Sequence, residues 1–448
     1  MNSQQQTGAT SAVSTLEKYY ALTKSFVADT AQAQSFLIPM NLVIIPFHDW
    51  KKCEHEGFRT RDAHFMEEFG RHPQVEKLLV IDRPTSLAET LLLGKNWSVL
   101  HGTAVASASG RRISQVGDKT FTCDIRVPDL IQPLLLRRKW IPQAYGMPRV
   151  VAGVRDALET LGMAQSFALF ISAPLFVPLV KHLSPQVFAF DAQDNLLKSS
   201  LYKDMPHLSA YYDFCIRTAD VISANSAETT RWLSQQRSDP QHIANGVSPE
   251  VFDPQKQYAT PADLTAIARP RVGYAGKMQE MFDVKLMCGM AESLPAVNFV
   301  FIGQQLNRQW MKPLWRYPNV FYLGDKQYDL LPSYIASFDI CMIPYRPEAQ
   351  HGGDPIKFYE YLAMGKPIVT TDIGGVGEFR QYPQVCIADS PAQFKAGLEY
   401  FLQKLRGHDA IATKALPKEV FWRTKADTIV QKIAHIVGSR EGDSHFLK

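Results

Sequence analysis

The chain has 448 residues, of which 46% are hydrophobic and 21% charged, and its formal net charge at pH 7 is only +4. That length exceeds what one compact core accommodates and predicts two domains; so small a charge excess, with no basic stripe, argues against nucleic acid as a partner. The six cysteines, Cys53, Cys123, Cys215, Cys288, Cys341 and Cys386, stand singly with no CxxC, which disfavours a disulfide framework or zinc ribbon and points to a reducing, cytoplasmic setting.

Residues 1–35 are rich in Gln, Ser, Thr and Ala and lack a basic start followed by an apolar run, so they are expected to form a flexible tail rather than a signal peptide. The apolar runs at 37–47 and 166–180 are interrupted by prolines and fall short of the roughly 20 residues a membrane helix needs. From Asn41 onward, short β-rich runs alternate with helix-period segments, the pattern of an α/β domain with a parallel sheet. Strands are predicted at 41–47, 75–82, 167–173, 187–192 and 220–226, apolar on both faces as helix-covered strands must be. Helices are predicted at 62–71, 149–162, 206–219 and 227–237, and a β-hairpin insertion within 95–125.

The Pro-, Asp- and Gly-rich stretch 245–270 reads as the interdomain linker. It separates an N-terminal domain, 36–250, from a C-terminal one, 251–423, in which strands are predicted at 271–276, 298–303, 319–324, 340–345, 367–372 and 385–389. Helices fall at 283–294, 328–337, 355–364 and 391–405, and a closing helix, about 424–438 within a last segment 424–448, has no strand after it. Two doubly wound domains facing a cleft follow, with ligands at the carboxyl ends of the strands.

The densest stretch is GGDPIKFYEYLAMGKPIVTTDIGG, residues 352–375. Asp354 is a plausible N-cap and Pro355 a first helical residue, while Gly352 and Gly353 let the backbone pass close to a ligand. A helix N-terminus with Lys357 beside it suits a phosphate or diphosphate. Glu360 is the one acid in this helix interior; it needs a partner, such as ribose hydroxyls or, alternatively, Lys357 or Lys366 at the surface.

This segment resembles the nucleotide-sugar-binding region of GT-B glycosyltransferases of the family 4-like branch, the group 1 glycosyl transferases. ADVISANSAETTRWL, HIANGVSPEVFDP, RVGYAGKM, NFVFIG and NVFYLG, in that order, resemble further segments of the family across most of the chain. The resemblance implies an α/β GT-B fold of two Rossmann-like domains, with the C-terminal helix crossing back to the N-terminal domain. It implies that Glu360 contacts the donor ribose, that Gly352, Gly353, Asp354 and Pro355 lie by the sugar and diphosphate, and that Lys277, after Gly276, takes the place of a phosphate-binding Arg. It further implies no cofactor beyond the nucleotide diphosphate sugar and no bound metal, the diphosphate charge being offset by helix dipole and basic side chains. Two positions depart from the retaining pattern: Gly352 stands where a first Glu is expected, and Asp283 where a Lys is usual. Retaining and inverting outcomes therefore both stay open.

On the acceptor side, IIPFHDWKKCEHEGFRTRD ends the first strand and offers His48 and Asp49, with Arg59 and Arg61 as groups for a phosphate or acidic sugar. FDAQDN ends another and offers Asp191 and Asp194; an inverting mechanism needs a general base, for which Asp191 comes first and His48 second. His101 is a further acceptor-side candidate. His48, Cys53, Glu54 and His55 match no common metal spacing. Residues 128–143 set leucines beside Arg137, Arg138, Lys139 and Trp140, a composition that suits peripheral contact with the inner face of a membrane. The expected function is transfer of a sugar from a UDP- or GDP-linked donor to a saccharide or lipid-linked acceptor in cell-surface polysaccharide or glycoconjugate synthesis. A UDP-sugar epimerase of the same fold and a non-catalytic nucleotide-sugar-binding partner protein are the alternatives.

Overall fold

In a computed structural model of the protein, residues 39–350 and 353–445 are described; the expected N-terminal tail and Gly352 lie outside them. The N-terminal sheet contains β1 (Met40–Ile45), β2 (Val75–Ile81), β3 (Thr85–Ser86), β4 (Thr103–Ala108), β5 (Arg111–Gln115), β6 (Thr120–Val127), β7 (Ala168–Ile171), β8 (Val187–Ala192), β9 (Val221–Ala224) and β10 (Gln241–His242). Its order is β10-β9-β8-β7-β1-β2-β6-β5-β4, with β3 beside β6. Neighbours from β10 to β6 run parallel, and β4 and β5 add the antiparallel hairpin at the edge. β7, β8 and β9 are buried along their whole length, as their mainly apolar sequences require, with Asp191 and Ser223 as polar exceptions.

The second sheet contains β11 (Arg271–Ala275), β12 (Asn298–Ile302), β13 (Val320–Tyr322), β14 (Ile340–Ile343), β15 (Ile368–Thr371) and β16 (Val385–Ala388). All its pairings are parallel and its order is β13-β12-β11-β14-β15-β16, the 3-2-1-4-5-6 arrangement of a dinucleotide-binding fold. The strand order reverses between β11 and β14, which places a ligand crevice over their carboxyl ends. In the N-terminal sheet the corresponding reversal falls between β1 and β7.

The closing helix, Trp422–His445, begins slightly earlier than its sequence suggests. Trp422, Ala426, Ile429, Val430, Ile433 and Val437 recur at helical spacing and join Phe65, Phe69, Phe170 and Ala189 in one buried cluster, so this helix covers the N-terminal sheet. The chain thus crosses between the sheets twice, and the crossings lie side by side: Val247 N donates to Val420 O at 3.0 Å and Trp422 N to Val247 O at 3.2 Å. Residues 95–102 are irregular rather than part of the hairpin, and a helix at Trp50–Glu56, without counterpart in the sequence reading, follows β1 directly. Among the described residues no helix is long and apolar enough to cross a membrane.

Candidate active site

The crevice over the carboxyl ends of β11 and β14 is built by close backbone approaches. After β11, Gly276 N donates to Ile302 O at 2.9 Å, and a Cβ on Gly303, whose φ is +125°, would lie 2.1 Å from Gly276 O. A Cβ on Gly276 would lie 2.2 Å from Lys357 Cε, so the glycine at this turn leaves the path along which Lys357 extends. Lys357 Nζ donates to Tyr345 Oη at 2.7 Å and lies over the Tyr274 and Tyr345 rings at 5.5 and 5.1 Å. No carboxylate pairs with it among the described residues. The Lys357 side chain thus stands at the switch point between β11 and β14, held by tyrosines alone among the described residues.

The helix that carries it spans Ile356–Ala363. Pro355, not Asp354, is its N-cap residue, a correction with a clear cause: the Asp354 carboxylate is committed elsewhere. Asn245 N donates to Asp354 Oδ1 at 3.2 Å, Asn245 Nδ2 to Asp354 O at 2.6 Å, and the Tyr359 hydroxyl to Asp354 Oδ2. Gly375, at φ +83°, lets the second Gly-Gly turn close over Asp354, since a Cβ there would lie 2.5 Å from the Asp354 Cβ. Gln350 braces the loop by donating to Gly353 O at 2.7 Å and accepting from Gly374 N at 2.8 Å. Asp354 is thus a buried post between the linker and the second Gly-Gly turn, and burial raises its pKa. Lys425, close by on the closing helix, is drawn down to about 8, chiefly by burial and then by the charge of Arg61.

Glu360 is buried to 3% exposure, and neither surface lysine pairs with it: Lys366 donates instead to Ala336 O at 2.6 Å and Phe338 O at 2.9 Å. Tyr328 Oη donates to Glu360 Oε1 at 2.8 Å, and His64 Nε2 lies 3.3 Å from the same hydroxyl. Oε2 carries no hydrogen bond among the described residues. Burial pushes the carboxyl up to about 7 against the opposing Tyr328 hydrogen bond, and burial holds His64 at about 3, hence neutral. His64 belongs to the N-terminal helix Arg61–Arg71, so the Glu360 environment spans both sheets.

Two ion pairs cross between the domains nearby. Arg59 binds Asp325 through both guanidinium nitrogens at 2.8 and 3.1 Å, and Lys277 Nζ meets Glu56 Oε2 at 2.7 Å. Gly57, at φ +87°, ends the Trp50–Glu56 helix directly against Tyr328, where a Cβ would come within 2.9 Å of the backbone nitrogen. Arg59, expected on the acceptor, is instead a clamp between domains, because its fork faces a carboxylate of matching geometry.

On the opposite side, Asp62 is 1% exposed and lies at the switch point of the N-terminal sheet. It accepts from Phe47 N at 3.2 Å, His48 N at 3.1 Å, Ser172 Oγ at 2.5 Å and Gln193 Nε2 at 3.3 Å, and lies 3.0 Å from His48 Nδ1. Burial alone would raise its pKa, but the bonds from His48 and Ser172 outweigh it and hold the carboxyl ionised. His48 is therefore fixed through Nδ1, and its Nε2 makes no hydrogen bond among the described residues. This histidine-on-carboxylate arrangement suits a general base.

Asp191 is not available for that role. Arg61 grips both its oxygens, Nε to Oδ2 at 2.8 Å and Nη2 to Oδ1 at 3.0 Å, and Ser223 Oγ adds a bond to Oδ1 at 2.6 Å. Both partners are buried, so Arg61 likewise has no free edge for an acceptor; its Nη1 goes to Ala244 O and Asn245 Oδ1. Asp49 caps the Trp50–Glu56 helix, accepting from Lys52 N at 3.1 Å, and His101 stays in solvent beside Glu54. Asp194 does face the other domain: a Cβ on Gly353 would lie 3.5 Å from its Oδ1 and 2.9 Å from Asn225 Nδ2. Burial, with Asp62 nearby, pushes Asp194 up to about 7.

Beside His48, its neighbours Phe47 and Asp49 line a cavity of about 1030 Å³ within the N-terminal half, whose wall includes Lys52, Arg138 and Tyr202. Asp62, Ser172, His64, Tyr328 and Asn225 escaped the sequence reading. Asp62 alone left a trace there, as a buried acid in the first turn of a helix immediately after the first strand's loop.

Residues 269–404 match the family model described as glycosyl transferases group 1. Residues 269–404 are thus similar to the group 1 glycosyl transferases, and the chain has the GT-B fold. Over 197 residues the chain is 28% identical to a Bacillus subtilis (strain 168) protein named as a teichuronic acid biosynthesis glycosyltransferase, TuaH, covering 42% of this chain. The chain matches 49% of that relative's length. Sucrose-phosphate synthase from Thermosynechococcus elongatus superposes with a TM-score of 0.57 at 11% identity, covering 91% of this chain and 100% of the other. The α,α-trehalose 6-phosphate synthase of Burkholderia multivorans gives 0.56 at 12% identity over 90% and 100%. At such identities these two establish the fold. The matched residues contain β11 to β16 and Glu360, and with them the crevice over β11 and β14 described above.

Proposed function

We propose that the protein transfers a glycosyl group from a UDP- or GDP-linked sugar to a saccharide or lipid-linked acceptor in cell-surface polysaccharide or glycoconjugate synthesis. The observation that carries this reading is a set of three groups on the two sides of the cleft: Glu360 Oε2 and the Lys357 amine, which bonds only to Tyr345 among the described residues, on the donor side, and His48 Nε2, braced by Asp62, on the other. Glu360 accepts from the donor ribose through its open oxygen. Lys357, Lys277 and the N-terminus of the Ile356–Ala363 helix stabilise the departing diphosphate. His48 takes the acceptor hydroxyl proton on Nε2 as the acceptor oxygen bonds to the anomeric carbon and the bond from that carbon to the diphosphate oxygen breaks. Asp194 and Gly353 border the sugar.

Thermal stabilisation by UDP, GDP, ADP and dTDP, compared between wild type and Glu360→Ala, tests the donor site. Stabilisation by one nucleotide, lost in the variant, is the expected result; no response to any nucleotide overturns the donor assignment. Nucleotide release that depends on an added acceptor distinguishes transfer from non-catalytic binding, and sugar conversion without acceptor or nucleotide release would identify an epimerase.

A further inference from the structure

The acceptor-side cavity opens toward an unusual stretch of surface. The short helix Leu87–Leu93, fixed by a Ser86–Glu89 capping box, buries Ala88 and Glu89 but turns Leu91, Leu92 and Leu93 outward. It neighbours the helix Gln132–Leu136, where Ile131, Leu134 and Leu135 are also exposed. These six side chains are between 47% and 75% exposed. Single exposed leucines are ordinary; five on two adjoining helices, with Ile131 at the start of the second, form the kind of contiguous apolar patch that marks an interaction surface.

Charge tells which partner it fits. Arg137, Arg138 and Lys139 follow the leucines directly, all exposed, and none enters an ion pair among the described residues. Arg138 lies over the Tyr202 ring, 5.7 Å from its centroid, on the cavity wall. Trp140, which sequence composition placed at the same surface, is instead buried and anchors the segment through Nε1 to Asp129 Oδ2 at 2.9 Å. Leucines in front of unpaired cations on a fixed segment match an interfacial element that inserts apolar side chains among acyl chains while its cations meet anionic headgroups. Leu93, Leu134, Arg137 and Arg138 line the cavity as well as the patch, so the cavity mouth opens onto this surface.

We infer that this face docks onto an anionic lipid bilayer and presents the cavity mouth to it. The acceptor class follows, resting on the transfer reading above: an amphiphile whose apolar part stays in the bilayer while its polar end enters the cavity toward His48.

The full chain is floated with vesicles of mixed phosphatidylglycerol and phosphatidylcholine, with pure phosphatidylcholine vesicles in parallel. Flotation with the anionic vesicles, weakened as salt rises from about 0.1 M to about 0.5 M, is expected. Arg138→Gln with Lys139→Gln should cut partitioning about thirtyfold, from roughly fivefold per cation removed. Leu91→Glu with Leu135→Glu, neither of which lines the cavity, should abolish it while leaving the thermal response to nucleotide intact, which shows the variant folded. Docking is overturned if wild type stays in the soluble fraction with anionic vesicles, or if the leucine variant floats as well as wild type. A dimer on size exclusion that the leucine variant breaks, without flotation, assigns the face to a second copy instead. Absence of any nucleotide response alongside flotation overturns only the transfer reading.

Discussion

Replacing Asp191 by Asn separates a structural carboxylate from a catalytic one. In the structure Arg61 is 4% and Asp191 0% exposed, and the pair is joined by two bonds of 2.8 and 3.0 Å. Removing the negative charge strands a guanidinium that cannot lose its proton and whose other partners are neutral acceptors and the Phe65 and Trp422 rings, 4.7 and 6.0 Å from their centroids. Breaking a buried pair from one side costs about 3–5 kcal/mol, a large share of the roughly 5–15 kcal/mol that holds a domain folded. Urea unfolding followed by tryptophan fluorescence measures it, and Trp422, 6.0 Å from the same guanidinium, lies within the affected region. Arg61→Met combined with Asp191→Leu should recover most of the loss, because two apolar side chains leave no uncompensated charge. A loss under about 1 kcal/mol together with a hundredfold fall in kcat would refute this reasoning and restore Asp191 as the base.

His48→Asn should lower kcat by about 10²–10⁴-fold with donor KM little changed, and Asp62→Asn should lower it through a misoriented imidazole; steady-state kinetics with acceptor present checks both. Gly276→Ala should remove nucleotide stabilisation in a thermal shift assay, because its Cβ displaces Lys357 from the crevice. Glu360 has a folded pKa of about 7 against an ordinary 4.5. Raised in the fold, it binds its proton there but not in the unfolded chain between those values, so stability falls as pH rises through that window, by on the order of 3 kcal/mol. Ribose hydroxyls prefer the ionised form, so nucleotide affinity should drop about tenfold per pH unit below 7, and Glu360→Gln should flatten the profile measured by calorimetry.

The strands were legible because parallel, helix-covered strands must be apolar on both faces, and runs such as VFAFDA state that burial locally. The helix around Glu360 was legible for a similar reason: one acid among buried aromatics is conspicuous at helical spacing. The helix WKKCEHE was not, since it buries only Cys53 and has no apolar stripe; its signals were Asp49 as cap and Gly57 at the left-handed end. The roles of Asp191 and Asp194 were beyond local pattern. They sit on one strand end, and what separates them is Arg61, 130 residues from Asp191 in the chain. Tyr328 and His64 belong to different domains and meet only when the cleft forms.

Lys277 poses a competition that magnitudes decide. Its bond to Glu56 crosses the cleft at 2.7 Å, yet the lysine side chain is 28% exposed, and a pair so open to water is worth roughly 1 kcal/mol or less. On the proposed function, a charge-assisted bond to a diphosphate oxygen, about 1.5–3 kcal/mol, would draw Lys277 away from Glu56. The bidentate Arg59–Asp325 clamp involves no donor-side group and persists through that exchange. On that reading, donor binding would leave Glu56 with Arg59, whose Nη2 lies 3.9 Å from Glu56 Oε2, while Arg59 and Asp325 still join the two domains.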